Sequence, residues 1–164
     1  MGSGKTSSGK KLARKMNFDF IDLDEFIVKK QGRSIAEIFN KEGENYFRNL
    51  ESENLRLLER ISSTILSVGG GTPCFNDNMK WMNTEGLTVY LKLDPGAIYT
   101  RLKNADEKRP LIAGKSKTEM LEFIHRSLEK REKYYSKAKL IVEAKDLSIK
   151  KLLERIRNSP HFQN

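Results

Sequence analysis

The sequence feature that most constrains this fold is the run Gly4-Lys5-Thr6, close to the first residue. It matches the end of the phosphate-binding loop pattern G-x-x-x-x-G-K-[ST]. In that loop, backbone N–H groups surround a phosphate group, the lysine reaches the terminal phosphates and the hydroxyl binds Mg²⁺. Residues 6–16 are predicted to form a helix, whose N-terminus would add N–H donors and a partial positive charge. The pattern indicates a site for a phosphorylated ligand.

The first half of this pattern has no counterpart in the sequence. Its first glycine would stand five places before Gly4, together with the apolar strand that leads into the loop. A glycine-rich tail before a basic helix would have a similar sequence. The run Gly4-Lys5-Thr6 alone therefore does not distinguish a phosphate-binding loop from such a tail. Without its central strand, a parallel sheet would have unpaired strand edges, at a cost of about 1–3 kcal/mol for each buried group. We therefore expect the natural chain to begin about seven to ten residues earlier.

Length and composition suit one soluble globular domain. The chain has 164 residues, of which 37% are hydrophobic and 32% are charged. We predict a single domain over residues 1–157 and a frayed tail over residues 158–164. No apolar run approaches the roughly 20 residues of a membrane span, no secretory leader is visible, and the single cysteine, Cys74, suits a reducing compartment. We expect a cytoplasmic protein with no membrane partner.

The net charge of +9 is compatible with a nucleic-acid surface or with anionic small molecules. The lysines are mixed with acidic residues along the helical stretches, and aromatic residues do not alternate with them as a base-stacking surface requires. We interpret most of this charge as a solvated basic surface, and we expect no nucleic-acid partner.

Strand-like and helix-like segments alternate along the chain, which is typical of an α/β fold with a parallel sheet. Strands are predicted at residues 18–22, 64–68, 87–93 and 140–144. Helices are predicted at residues 6–16, 25–31, 34–40, 44–62, 76–83, 95–102, 118–137 and 147–157. The polar residues 104–117 resemble a mobile loop. Reactive side chains follow the carboxyl ends of the strands, where open parallel sheets bind ligands.

Two aspartates follow the first predicted strand. If the strand continues through them, Asp22 and Asp24 point the same way, because strand side chains alternate with period two. One carboxylate could then lie beside Mg²⁺ while the other accepts a hydrogen bond from a substrate hydroxyl. A pair at the N-terminus of a helix is the equally good alternative.

Arginines and glycines complete the candidate set. Arg48 and Glu51 are three residues apart on one helical face, so the glutamate can aim the arginine at a carboxylate, although a surface ion pair is commoner. The run Gly69–Gly71 after a buried strand indicates a ligand lying against the main chain rather than a simple turn. Arg109 in the polar loop and Arg131 on the next helix are either solvated charges or groups that contact phosphate or substrate.

These motifs together resemble the shikimate kinases. The G-K-T run, D-x-D, F-R-x-x-E, G-G-G, R-P-L and R-x-x-x-Y occur in this order and at these separations over residues 1–157. The resemblance implies a three-layer P-loop kinase fold, with helices on both sides of a central parallel sheet in the order 2-3-1-4-5 and a mobile lid over about residues 104–117. It implies transfer of the γ-phosphoryl group of ATP to the 3-hydroxyl of shikimate, with ATP and Mg²⁺ as cofactors, in a protein that we expect to be a monomer.

The resemblance also implies a role for each matching residue. The residues implied to hold the phosphates of ATP are Gly2, Ser3, Gly4, Lys5, Thr6, Ser7 and, from the lid, Arg109. Those implied to hold Mg²⁺ are Thr6 and, through water, Asp22. Those implied to hold shikimate are Asp24, Arg48, Gly69, Gly70, Gly71 and Arg131. Lys5, Asp24 and Arg109 are the implied catalytic residues.

Two alternative functions remain open on the sequence. Gluconate kinases share the scaffold and phosphorylate a small carboxylate compound, although the F-R-x-x-E and G-G-G pair favours shikimate. A nucleotide-binding or nucleic-acid-binding module without catalysis is the other. The adenine site is expected near residues 144–148, where the sequence shows no diagnostic side chain.

Overall fold

The computed structural model describes residues 2–103 and 116–162 of the chain. Helices and short strands alternate through these residues. The helices are α1 Lys5–Met16, α2 Leu23–Gln31, α3 Ile35–Arg56, α4 Asn78–Glu85, α5 Pro95–Lys103, α6 Lys117–Tyr135 and α7 Ile149–Arg157, with a single 3₁₀ turn at Thr72–Cys74. The strands are β1 Asp19–Asp22, β2 Thr64–Ser67, β3 Val89–Lys92 and β4 Leu140–Glu143. Each predicted element is present.

The four strands form two parallel pairs. β1 pairs with β2, with Asp19 opposite Thr64, and β3 pairs with β4, with Val89 opposite Leu140. Within the described part of the chain the two pairs are not hydrogen-bonded to each other. The order 2-3-1-4-5 counts the strand expected before the phosphate loop as strand 1. β1 and β2 then correspond to strands 2 and 3, and β3 and β4 to strands 4 and 5, which are the two outer pairs of that order. A cavity of about 740 Å³ is lined by both β2 and β3.

Helices cover both faces of the strands. The neighbouring residues Ile65 and Leu66 of β2 pack into different hydrophobic clusters, because successive strand side chains point to opposite faces. Leu66 joins a cluster built mainly by α2 and α3, whereas Ile65 joins one built mainly by α1 and α7. A third cluster lies under α5 and α6. The expected three-layer α/β architecture is therefore present, and it leaves the carboxyl ends of the strands accessible to ligands.

None of the helices in the described ranges combines the length and the apolar character needed to cross a membrane.

The largest difference from the prediction is the end of the long helix. A helix was expected to continue to residue 62, but α3 ends at Arg56. Arg60 and Ser63 both have positive φ angles, at 59° and 48°, which a right-handed helix cannot include. The apolar residues Phe47, Leu50, Leu55 and Leu58 of this region are all buried (8% exposed or less).

The C-terminal segment also differs from the prediction. Residues 158–164 were expected to form a frayed tail, but the chain packs as far as Phe162. Ser159 is buried, and Phe162 lies against the cluster of α1 and α7. The predicted lid lies outside the described residues except for Ser116, which caps α6, and Lys117, with which α6 begins.

The break predicted between the helices at residues 34–40 and 44–62 is a kink at Gly43 inside α3. Its φ of 84° and ψ of 174° lie in a region that is essentially restricted to glycine. The first segment starts with a capping box in which Ser34 and Glu37 bond each other's backbone N–H groups. The second segment carries Arg48 and Glu51, so the kink sets the direction of the helix that supplies both.

We predict that Gly43→Ala lowers the free energy of unfolding by about 1–3 kcal/mol, whereas Gly86→Ala changes it by less than about 0.5 kcal/mol. A Cβ at either position would meet no atom within 4 Å. The two sites differ in backbone angle, because Gly86 is extended with a φ of −170°. Urea denaturation of both variants makes the comparison. Equal effects would show that the kink does not require glycine.

Candidate active site

The phosphate loop is formed by two left-handed glycines and the start of α1. Gly2 and Gly4 have φ angles of 64° and 84°, and Gly4 is the N-cap of α1. The first turn of α1 has no acidic residue, and no side chain caps it. Its N-terminal N–H groups and Lys5 therefore make a positively charged anion site. Ser3 and Thr6 are half-buried in this loop, and Ser7 is exposed beside it.

Thr6 and Asp22 meet at the carboxyl end of β1. The hydroxyl of Thr6 donates a hydrogen bond of 3.0 Å to Oδ2 of Asp22. The other carboxylate oxygen of Asp22 accepts the backbone N–H of Asp24 at 3.1 Å, as the N-cap of α2. The prediction that Asp22 and Asp24 share one face of a strand is therefore wrong, since the strand ends at Asp22 and Asp24 lies in the first turn of α2.

The described residues contain no group of three or more His, Cys, Asp or Glu side chains placed to hold a metal ion. Thr6 and Asp22 supply two oxygen atoms, of the kind that Mg²⁺ prefers. Mg²⁺ is usually bound by one or two protein oxygens together with substrate phosphates. The pair therefore fits a magnesium ion that is shared with a nucleotide.

Asp24 lies between the phosphate loop and the turn at Gly69–Gly71, called the glycine turn. Burial is the main cause that raises the pKa of its carboxyl, and the negative charges of Asp22 and Glu51 raise it further. The positive charges of Lys5 and Arg48 oppose this shift without reversing it. A carboxylate whose pKa is raised toward neutrality is a better proton acceptor for a hydroxyl group.

Arg48 is fixed by two glutamates and three aromatic rings. Its Nη1 donates to Glu51 Oε2 at 3.0 Å, and its Nη2 donates to Glu44 Oε1 at 3.1 Å. The pairing of Arg48 with Glu51 predicted from their spacing is confirmed. The guanidinium also lies over three rings, with its Cζ 4.7–5.8 Å from the ring centroids of Phe39, Phe47 and Phe75. These contacts hold a guanidinium that is 13% exposed at the edge of the site.

Glu51 joins Arg48 to the glycine turn. Its side chain is 1% exposed, and its Oε1 accepts a 2.6 Å hydrogen bond from the hydroxyl of Thr72. The side-chain amide of Asn78 in turn donates to the Thr72 carbonyl at 2.9 Å. Thr72 was not predicted, because nothing in the local pattern after three glycines marks a threonine as the partner of a glutamate 21 residues away.

Close approach explains two of the three glycines. A Cβ at Gly71 would lie 2.6 Å from both terminal nitrogens of Arg48, so the guanidinium would have to move from its position between Glu44 and Glu51. A Cβ at Gly69 would lie 3.0 Å from Glu51 Oε1 and 3.4 Å from Asp24 Oδ1. The turn is therefore packed against Arg48, Glu51 and Asp24, whose side chains account for these two glycines. That a ligand also lies against the main chain of this turn stays a prediction.

Arg131 reaches the same turn through Tyr135. The two residues are one helical turn apart on α6, and burial raises the pKa of the phenol while the nearby positive charge of Arg131 lowers it. The hydroxyl donates a 2.5 Å hydrogen bond to the carbonyl of Gly70. Burial raises the pKa of Tyr135, so the phenol stays protonated and remains a donor.

A further arginine at the site was missed by the sequence reasoning. Arg101 on α5 donates to the carbonyl of Ser3 at 2.9 Å and to that of Ala144, just after β4, at 3.1 Å. It joins the phosphate loop to the segment where the adenine site is expected. Its partners are 98 and 43 residues away, so no local pattern marks it.

The structure thus brings together most of the predicted residues. Those that meet at the carboxyl ends of β1 and β2 are Lys5, Thr6, Asp22, Asp24, Arg48, Gly69, Gly70, Gly71 and Arg131. Arg109 lies outside the described residues.

Comparisons with known proteins agree on one family. The family model described as shikimate kinase matches residues 1–159. A shikimate kinase of Phocaeicola vulgatus is 43% identical over 154 residues, which cover 94% of this chain and 88% of the relative.

Two solved structures are similar to the chain. The crystal structure of shikimate kinase from Bacteroides thetaiotaomicron has a TM-score of 0.89 at 39% identity, covering 96% of this chain and 92% of that one. That of shikimate kinase from Acinetobacter baumannii in complex with shikimate has a TM-score of 0.82 at 30% identity, covering 96% and 86%.

We predict that Asp24→Asn raises the melting temperature at pH 7. The folded-state pKa of Asp24 lies above its unfolded value, so ionising this carboxyl costs stability at every pH above the folded-state pKa. The gain should be about 2–4 °C for each kcal/mol relieved, and it should disappear as the pH falls below the unfolded value of 3.8.

Calorimetric scans between pH 3 and pH 8 measure this effect. Asp19→Asn, at the exposed start of the preceding strand β1, is the matched control and should melt like the unsubstituted protein. An Asp24→Asn protein that melts at the same or a lower temperature at pH 7 would show that Lys5 and Arg48 more than compensate the charge.

Proposed function

The chain belongs to the shikimate kinase family, and from this premise we propose that the phosphate loop, Asp24 and the glycine turn carry out the family's reaction. That reaction transfers the γ-phosphoryl group of ATP to the 3-hydroxyl of shikimate. The observation that carries the proposal is the position of Asp24. Its carboxylate interacts with Lys5 of the anion site and with Arg48, and it lies against Gly69.

ATP would bind with its phosphates at the start of α1. Phosphoryl transfer needs positioning and positive charge around the γ-phosphate more than covalent chemistry. Gly2 and Gly4 let the backbone curve around a phosphate group, Lys5 supplies a charge, and the N-terminus of α1 supplies N–H donors. Ser3, Thr6 and Ser7 complete the loop.

A magnesium ion would be held by Thr6 and, through water, by Asp22. Both oxygen atoms are already directed to one place by their 3.0 Å hydrogen bond. When bound, such an ion neutralises charge on the phosphates. Asp22 is itself oriented by the N–H of Asp24, so this position is fixed before any ligand binds.

Shikimate would bind with its carboxylate between Arg48 and Arg131 and with its hydroxyls near Asp24. Arginine pairs bidentately with carboxylates, and two arginines select an acid over a neutral sugar. Asp24 would then orient the 3-hydroxyl and accept its proton, helped by its raised pKa. N–H groups of Gly69–Gly71 would lie against the ring of the substrate.

We further propose that the protein acts as a monomer in the cytoplasm. All the groups assigned above come from one chain, so the site needs no second copy. The single cysteine suits a reducing compartment.

The proposal is tested by measuring ADP release with shikimate present, with shikimate omitted and with gluconate in its place. We expect release that depends on shikimate and that gluconate does not restore. Release that is the same without shikimate, or faster with gluconate, would contradict the assignment. Salt-sensitive DNA binding without any turnover would instead favour a non-catalytic module.

We predict that Lys5→Met lowers the shikimate-dependent rate by about 10²–10³-fold, the usual loss when one electrostatic group at a reacting centre is removed. Lys10→Met is the matched control on the same helix, since Lys10 is about half exposed and pairs with Glu25 at 3.7 Å. Steady-state rates of both variants, with circular dichroism to check folding, give the answer. A folded Lys5→Met protein with more than half its activity would exclude the assigned role.

A further inference from the structure

The hydroxyl of Tyr135 makes a contact that neither phosphate binding nor direct substrate contact explains. It donates to the carbonyl of Gly70, 65 residues away, and Arg131 lies one helical turn before it on α6. The phenol thus joins α6, which carries Arg131, to the turn at Gly69–Gly71, which lies against Arg48. The inference below rests on the function proposed above.

The bond to Gly70 also fixes the next N–H group. The carbonyl of Gly70 and the N–H of Gly71 belong to one peptide plane, and in a trans peptide they point in opposite directions. Holding the carbonyl therefore sets the direction of the Gly71 N–H. Gly71 lies directly against Arg48, since a Cβ there would be 2.6 Å from the guanidinium nitrogens.

The two arginines are attached to this turn in the same way. Arg48 reaches Thr72 through Glu51, with bonds of 3.0 Å and 2.6 Å. Arg131 reaches Gly70 through Tyr135. Each link has one intermediary, and the two intermediaries bind the turn two residues apart.

We infer that Tyr135 is a positioning residue that sets the separation and relative orientation of Arg48, Arg131 and the Gly71 N–H. A bidentate grip on a carboxylate depends on that geometry. The hydroxyl therefore contributes to affinity for the acid substrate and not to affinity for ATP, although it touches neither.

The ring of Tyr135 offers a matched control. It packs against Tyr90 with ring centroids 4.9 Å apart. Tyr90 donates its own hydroxyl to Glu132 at 3.1 Å, on the same helix but away from the glycine turn. Tyr135→Phe and Tyr90→Phe each delete one hydroxyl and keep the contact between the two tilted rings. Only Tyr135→Phe removes the hydrogen bond to Gly70.

The experiment compares steady-state constants and melting temperatures of the full-length unsubstituted, Tyr135→Phe and Tyr90→Phe proteins. For Tyr135→Phe we expect the KM for shikimate to rise about three- to tenfold, the range for loss of one neutral hydrogen bond, with the KM for ATP within about twofold. For Tyr90→Phe both constants should stay within about twofold.

Several outcomes would overturn the inference. They are an unchanged KM for shikimate, equal increases in both constants, the same increase in Tyr90→Phe, or a Tyr135→Phe protein that does not fold, which would make the hydroxyl a structural group. Failure of the proposed function itself would look different, because the unsubstituted protein would then release no ADP in response to shikimate.

Discussion

The buried carboxylate of Glu51 is the interaction on which the substrate end of this site depends. A charge that is 1% exposed is costly unless other groups compensate it. The compensation comes from Arg48 and from the hydroxyl of Thr72, and Gly69 packs so closely that a Cβ there would lie 3.0 Å from Glu51 Oε1. One buried charge therefore fixes an arginine, a turn and a glycine, and its proximity also raises the pKa of Asp24.

The fold explains why these groups meet the phosphate loop. β1 and β2 run parallel with Asp22 opposite Ser67, so both chains leave the strands at the same edge. The segment after β1 continues to Asp24, and the segment after β2 continues to Gly69. A Cβ at Gly69 would lie 3.4 Å from Oδ1 of Asp24. The start of α1 lies at the same edge, as the bond between Thr6 and Asp22 shows. The Asp24 carboxylate therefore lies between the anion site at the start of α1 and the turn at Gly69–Gly71.

The features that were predicted correctly from the sequence depend on residues that are close together in the chain. The G-K-T run at the start of α1 and the pair of Arg48 with Glu51 both depend on residues within four positions of each other. Contacts made only by folding were not predictable, and they include Thr72 with Glu51 and Arg101 with Ser3. The two aspartates show the limit clearly, because two aspartates spaced by two residues fit either the end of a strand or the N-cap and first turn of a helix.

Isothermal titration of shikimate into the Glu51→Gln protein tests the central role of the buried carboxylate most directly. Glu44→Gln is the matched control, since Glu44 contacts the same arginine at 3.1 Å but is 57% exposed. We predict that Glu51→Gln weakens shikimate binding about tenfold or more, because Arg48 loses the charge that aims it, and that Glu44→Gln changes it by less than about twofold. A folded Glu51→Gln protein that binds shikimate as tightly as the unsubstituted protein would contradict this account.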